Sequence, residues 1–100
     1  MLKEILSQNP ADKFARYGLA MEYSKSGQIK EALQEFNALL ELDPDYSAAY
    51  FMAAQTLARE GRNQDARKML EDGVAAAIRT GNAHARSEMQ AMLDELSQQA

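Results

Sequence analysis

The sequence predicts an all-α fold, an α-α superhelix of stacked antiparallel helix hairpins. The first observation is an internal repeat: the shift that places Pro10 on Pro44 also aligns Ala20 with Ala54, Gly27 with Gly61, Glu31 with Asp65 and Ala32 with Ala66. We call this constant shift the repeat offset. A fixed period of this kind is typical of helical hairpins that bury their apolar faces against one another. The second observation is that apolar residues recur at helical spacing between these turns. Such an architecture usually provides a binding surface rather than a catalytic pocket.

The first element is a short helix within residues 1–9. Leu2, Ile5 and Leu6 lie on one side of it, and the helix stops at Asn9-Pro10 because proline lacks the backbone N–H that a continuing helix needs. At the repeat offset these apolar positions match positions in the later helix that ends before Pro44. The segment is therefore predicted to be the second half of an incomplete hairpin that caps the N-terminal end.

Two helices follow as a hairpin. The first is predicted from Pro10 or Asp12 to Ser26, where Gly27 supplies the left-handed conformation that ends many helices. The second is predicted over Ile29 to Leu42 from apolar residues at i, i+4, i+7 and i+11, and it closes at Asp43-Pro44.

The next hairpin repeats this plan, with helices predicted over Tyr46 to Glu60 and Asn63 to Arg79. Ile78 occupies the place of Pro44, so the second of these helices can run on to Thr80-Gly81. Asn82 can then cap a last helix whose apolar stripe faces inward and whose other face is polar, as the open end of a stack requires. The stripe consists of Met89, Met92, Leu93 and Leu96, and the solvent-facing side carries Arg86, Glu88, Gln90, Asp94 and Glu95.

Composition excludes several functional classes. The 100 residues form one domain with 46% hydrophobic residues, and the net charge of −4 argues against nucleic-acid binding. Cysteine is absent, so disulfides, thiolate metal sites and cysteine nucleophiles are excluded. The longest apolar stretches, such as Val74 to Ile78, are far shorter than the ~20 residues of a membrane helix. No membrane contact is expected, and since the first residues do not resemble a secretory signal, a cytoplasmic location is expected.

Taken together, the repeated residues resemble those of the tetratricopeptide repeat family. The residues that carry the resemblance are Leu19, Ala20, Tyr23, Gly27, Ala32, Phe36 and Pro44, then Tyr50, Ala54, Leu57, Gly61, Ala66, Leu70 and Gly73. The resemblance implies a single domain over residues 1–100, with a partial helix at 1–9, repeats at 13–46 and 47–80, and a capping helix at 82–98. The chain departs from the family pattern at Arg16, Leu39 and Ile78, and Arg16 is expected to reach toward the edge beneath the N-terminal helix.

By the same resemblance, the chain is expected to be a protein–protein interaction module. The first helix of each pair would line a concave, largely apolar groove that takes a peptide or helix segment of a partner. The residues expected to face this groove are Phe14, Tyr17, Met21, Ser24, Lys25, Ala48, Phe51, Gln55 and Arg59. Ordinary core contacts are the alternative for the aromatic residues and Met21. One subfamily grips a terminal carboxylate with Lys, Asn and Arg, but Tyr17, Met21 and Met52 occupy those places here, which disfavours that mode.

Self-association is the alternative function, and several functional sites are expected to be absent. Self-association through the apolar edge of the last helix, at Met92 or Leu96, or through the short N-terminal helix is the alternative function. No nucleophile motif or phosphate loop occurs, so no catalytic residue and no cofactor are expected. His84 with Glu88 is expected to form a surface pair rather than a metal site, because one His and one carboxylate leave too few ligands.

Overall fold

A computed structural model describes residues 1–98, and this part of the chain is helical without strands. Its six helices are α1 Leu2–Gln8, α2 Lys13–Lys25, α3 Ile29–Leu42, α4 Ser47–Arg59, α5 Asn63–Thr80 and α6 Ala83–Gln98. The all-α fold class is confirmed. The chain forms two compact units, Met1–Pro44 and a second unit that begins at Asp45.

The first unit contains α1 and the hairpin of α2 and α3. Leu6 of α1 is buried with Ala15 and Leu19 of α2, so the short helix contributes to the core of this unit. Asp12 caps α2, because its side chain accepts a hydrogen bond from the backbone N–H of Ala15 at 2.9 Å. Gly27, with φ of 80°, makes the turn into α3.

Arg16 departs in part from its expected position. Its Nη2 donates to the carbonyl of Pro10 at 3.0 Å, which fits the expected reach toward the end of α1. Its Nη1, however, donates to Glu35 Oε1 on α3 at 2.6 Å, and both side chains are largely buried. The guanidinium therefore ties α2 to α3 instead of extending into solvent, since a charge this far from water needs a partner.

The second unit contains the hairpin of α4 and α5, with α6 packed on α5. Gly73 allows a close approach on α5: a Cβ at this position would lie 2.7 Å from Tyr50 Cβ and 2.5 Å from Met89 Sδ. Helix α5 has 18 residues against 14 in α3, because Ile78 replaces the proline that ends α3.

The ends of the last two helices follow the prediction. Gly81, with φ of 69°, closes α5, and the Asn82 side chain accepts a hydrogen bond from Ala85 N at 3.1 Å at the start of α6. Helix α4 lies one residue inside its predicted bounds at each end. Across residues 1–98, none of the helices combines the length and the apolar character that crossing a membrane requires.

Candidate functional site

The predicted groove residues of the first unit lie along one face of α2. Phe14 is 80% exposed, Tyr17 and Met21 are half-buried, and Lys25 is exposed. Spacings of three, four and seven residues put these side chains on the same side of the helix. Ser24 is only 5% exposed, so it offers a partner little surface.

Tyr17 is held by the core of its own hairpin. Its ring meets the fully buried Phe36 ring of α3 edge to face, with centroids 6.4 Å apart and an interplanar angle of 65°. Part of the Tyr17 ring therefore makes a core contact, which was the alternative to exposure in the groove. This alternative does not describe Phe14, whose ring is largely in solvent.

The predicted residues of the second unit lie on α4, and two of them form a wall of a cleft. Half-buried Phe51 and Gln55 of α4 face α6 across a cleft of about 320 Å³. Ala48 and Arg59 are exposed and do not line it. The residues of α6 that complete the cleft are Glu88, Ala91, Met92 and Glu95. We refer to these six residues as the α4–α6 cleft.

The α4–α6 cleft has an apolar floor and an acidic rim. Phe51, Ala91 and Met92 supply the apolar surface, and Glu88 and Glu95 are exposed. Glu88 Oε1 also lies 3.4 Å from His84 Nε2 in an exposed pair, as predicted. Within residues 1–98, the His, Asp and Glu side chains form no group of three or more that could hold a metal ion.

Sequence reasoning missed the α6 wall of this cleft. Met92 was assigned to an inward stripe, and Glu88 and Glu95 to the wet face of a capping helix. The signal that could have found them is the period itself: one repeat offset beyond the start of α4, the chain comes close to the start of α6. Helix α6 therefore holds the place of a first helix in a third repeat, the type of helix from which the groove was predicted.

A second cleft lies between α5 and α6 and has a different character. It measures about 440 Å³, and charged side chains of both signs line it, including Arg67, Lys68, Glu71 and Asp94. Lys68 Nζ is paired with Asp72 at 3.0 Å. Mixed charge and little apolar surface make this cleft a weaker candidate for a docking site than the α4–α6 cleft.

Comparisons with known proteins agree with the hairpin architecture. A TPR repeat-containing protein of Pseudomonas aeruginosa is 28% identical over 95 residues, which are 95% of this chain and 90% of that protein. The solution structure of a Bordetella parapertussis protein matches with a TM-score of 0.84 at 32% identity, covering 98% of this chain and 85% of that chain.

A second structure, the TPR2B domain of yeast Sti1 in complex with pHsp70, matches with a TM-score of 0.88 at 21% identity. It covers 99% of this chain and 79% of that one, and at this identity the likeness concerns the fold alone. The family model of the tetratricopeptide repeat matches residues 1–50 and 23–85. Because these matches extend over most of the sequence, the chain belongs to the tetratricopeptide repeat family, whose members are in general protein-interaction modules.

Proposed function

We propose that this chain binds a peptide or helical segment of a partner protein in an apolar groove. The groove would be lined by the first helix of each repeat. The observation that carries the proposal is the α4–α6 cleft, where Phe51 and Met92 leave apolar surface uncovered. Aromatic and methionine side chains in a partly desolvated cleft are frequent anchors of protein interfaces. The proposal assigns the chain no chemistry of its own, and a cytoplasmic location is part of it.

The face of α2 is the second proposed contact surface, and it lies in the first unit. Phe14 is a large aromatic side chain in solvent, and Tyr17 and Met21 share its side of the helix. We retain all nine predicted residues as the proposed groove, with Phe14 and Phe51 as its main anchors and Ser24 as a minor contributor. The pHsp70 complex of the yeast Sti1 domain supports this class of function for the fold.

The chemistry of α2 and α4 favours an apolar ligand over a terminal carboxylate. The places that one subfamily fills with Lys, Asn and Arg hold Tyr17, Met21 and Met52 in this chain. None of these three side chains carries a positive charge, and the two methionines have no hydrogen-bond donor, so the pairing of cations with a carboxylate is lost. The segment that this surface suits is a hydrophobic peptide or an amphipathic helix.

Comparative affinity capture from native extract tests the proposal. Wild type is compared with the Phe14→Gln/Phe51→Gln variant, in which two apolar anchors become polar. The matched control is Leu42→Gln/Ile78→Gln. These side chains are 46% and 56% exposed, and they lie on α3 and α5, the second helices of the two hairpins. We expect the retained partner to be lost from the first variant and kept by the control, with unchanged helicity in both. Equal retention by both variants would contradict the proposal.

Self-association through α1 is a second candidate, favoured by one observation. Ile5 is 38% exposed, whereas Leu39, its counterpart at the repeat offset, is fully buried. The short helix therefore has an apolar side that its own unit leaves uncovered. Leu96 cannot serve as the apolar edge of α6, because it is 6% exposed. Sedimentation at several concentrations checks this: a dimer that disappears in Ile5→Lys supports it, and a monomer at all concentrations excludes it.

A further inference from the structure

The acidic residues of the α4–α6 cleft are spaced along one face of α6. Glu88 and Glu95 are seven residues apart, which is about two turns and about 10 Å along the helix axis. Ala91 and Met92 lie between them on the same face. The cleft therefore places apolar surface at its centre and a carboxylate toward each end.

Among the described residues that line the cleft, none is a cation that could balance these carboxylates. Its six lining residues comprise two acids, neutral Gln55 and three apolar side chains, without Lys or Arg. His84 approaches Glu88 from the preceding turn of α6, but it does not line the cleft. The net charge of the chain, −4, has the same sign as the cleft. An acidic or phosphate-bearing segment would thus be repelled, while a basic segment would be attracted.

We propose that the α4–α6 cleft selects a cationic amphipathic helix of a partner protein. A large apolar side chain would enter between Phe51 and Met92, and a Lys or Arg about one turn before it and another about one turn after it would meet Glu88 and Glu95. Two cations seven residues apart on one helix match the spacing of the two carboxylates. This inference rests on the proposed peptide-binding function and specifies the charge pattern of the ligand.

The α5–α6 cleft provides an internal comparison. It shares α6 with the α4–α6 cleft, but Arg67 and Lys68 accompany Glu71 and Asp94 in its lining. With both signs present, it has little preference for the sign of a ligand. Reversing the charge of Glu71 and Asp94 therefore changes the net charge of the protein by the same amount as reversing Glu88 and Glu95, at a different surface.

Selection from a random peptide library tests the inference directly. The probe is a phage-displayed library of peptides of about 15 residues, long enough for about four helical turns. The library is selected on wild type and counter-selected on Phe51→Gln, so that peptides bound elsewhere are removed. We expect the enriched peptides to carry a large apolar residue flanked by Lys or Arg, with the two cations seven residues apart.

Individual enriched peptides are then measured by fluorescence anisotropy against two charge-reversal variants. We expect Glu88→Lys/Glu95→Lys to weaken binding about tenfold at low salt, because two exposed attractions become repulsions. Added salt should reduce this difference. The matched control, Glu71→Lys/Asp94→Lys, should bind within about twofold of wild type at each salt concentration, since its changes lie outside the cleft.

The possible results distinguish a failure of the charge selection from a failure of peptide binding itself. Enriched peptides without basic residues, or binding that the Glu88→Lys/Glu95→Lys variant leaves unchanged, would overturn the charge selection and leave peptide binding intact. Peptides that bind Phe51→Gln as well as wild type but are lost from Phe14→Gln/Phe51→Gln would overturn the charge selection alone. Peptides that bind all three proteins equally would overturn both. Circular dichroism of each variant shows whether a loss of binding accompanies a loss of helix.

Discussion

The hairpins α2–α3 and α4–α5 share one backbone plan, but at one pair of equivalent positions the large buried side chain comes from opposite helices. At the repeat offset, Arg16 corresponds to Tyr50 and Leu39 corresponds to Gly73. In the second hairpin the large side chain, Tyr50, comes from the first helix and lies against Gly73. In the first hairpin the buried large side chain, Leu39, comes from the second helix, while Arg16 is directed toward Glu35 and Pro10.

In each hairpin, a large buried side chain at one of these two positions is matched at the other by a glycine or by a side chain bonded elsewhere. A tyrosine over a glycine and a leucine beside a displaced arginine are two solutions to the same packing problem, since interiors are filled to a nearly constant density. Equivalent positions in the two repeats therefore should not tolerate the same substitutions. Four predictions test this comparison, beginning with the largest expected effect.

The largest effect is expected at Leu39. Leu39→Ala removes a fully buried side chain and leaves a cavity, so we expect the free energy of unfolding to fall by about 3 kcal/mol. Urea denaturation measures this change. The control is Leu42→Ala on the same helix, which is 46% exposed and should cost less than about 1 kcal/mol. Equal losses in the two variants would show that Leu39 is not the residue that fills this hairpin.

A smaller loss is expected from Gly73→Ala, although alanine favours helices. The new Cβ would lie 2.7 Å from Tyr50 Cβ, an atom close to the backbone that cannot move aside alone. We expect overpacking to exceed the helix-propensity gain of about 1 kcal/mol and to leave a net loss of about 2 kcal/mol. Thermal and urea unfolding measure it.

Gly18→Ala is the matched control for this clash. Its Cβ would come within 3.1 Å only of Leu2 Cδ1, the end of a flexible side chain. Because Leu2 can give way, the propensity gain should dominate and stability should stay level or rise by up to about 1 kcal/mol. If both alanine variants were equally stable, the close approach of α4 to α5 would not limit the size of residue 73.

The ion pair of Arg16 with Glu35 is expected to affect the free energy of unfolding because the pair is largely buried. Glu35→Met leaves the guanidinium of Arg16, whose side chain is 18% exposed, without its carboxylate, and should cost about 1–2 kcal/mol. The double variant Arg16→Met/Glu35→Met should recover most of this loss, because an apolar pair can replace a buried ion pair. A double-mutant cycle by urea denaturation measures the coupling. Additive losses, with no recovery in the double variant, would contradict this account.

The second hairpin already contains such a replacement. Tyr50 and Met69 occupy the positions equivalent to Arg16 and Glu35, so the ion pair belongs to one repeat only. The exposed pair of Lys68 with Asp72 serves as a comparison in the second hairpin. Its removal by Asp72→Asn should leave the free energy of unfolding nearly unchanged, since solvent screens exposed pairs.

Much of the fold was predictable because helix ends depend on local chemistry. Gly27, Gly61 and Gly81 adopt positive φ at the predicted turns, and α3 spans the predicted residues. The pairing of Arg16 with Glu35 was not predictable, because it depends on how two helices rotate about their axes. The close approach at Gly73 involves Met89 of α6, and a periodic pattern does not specify which helices approach most closely.

The candidate site was predicted only in part for a related reason. The period placed Phe51 and Gln55 on the first helix of a repeat, and the structure puts both in the α4–α6 cleft. Glu88 and Glu95 were assigned to solvent because they are charged, although charged side chains commonly form the rim of an apolar cleft. That the faces of α2 and α4 bind one partner stays a prediction, since it concerns a ligand that the sequence does not encode.

Apart from the comparison at Asp72, the smallest of the four effects is expected at high pH, where Tyr50 distinguishes the two hairpins. Burial raises the pKa of the Tyr50 phenol above its ordinary value, an effect that the charge of Arg79 opposes and that Asp72 and Asp45 reinforce. The folded state therefore holds this proton more tightly than the unfolded state. This pKa difference stabilises the fold fully below about pH 10, the ordinary pKa of tyrosine. The stabilisation is lost as pH rises through the higher pKa of the folded state.

Urea denaturation of wild type and Tyr50→Phe from about pH 9 to about pH 11 measures this contribution. Phenylalanine cannot ionise, so stability should fall less steeply with pH in the variant than in wild type. The other tyrosines are present in both proteins and cancel in the comparison. Arg16, at the equivalent position of the first hairpin, carries no phenol, so Arg16→Met should leave the slope of wild type unchanged. Parallel profiles for wild type and Tyr50→Phe would mean that burial against Gly73 does not distinguish the folded from the unfolded environment of this phenol.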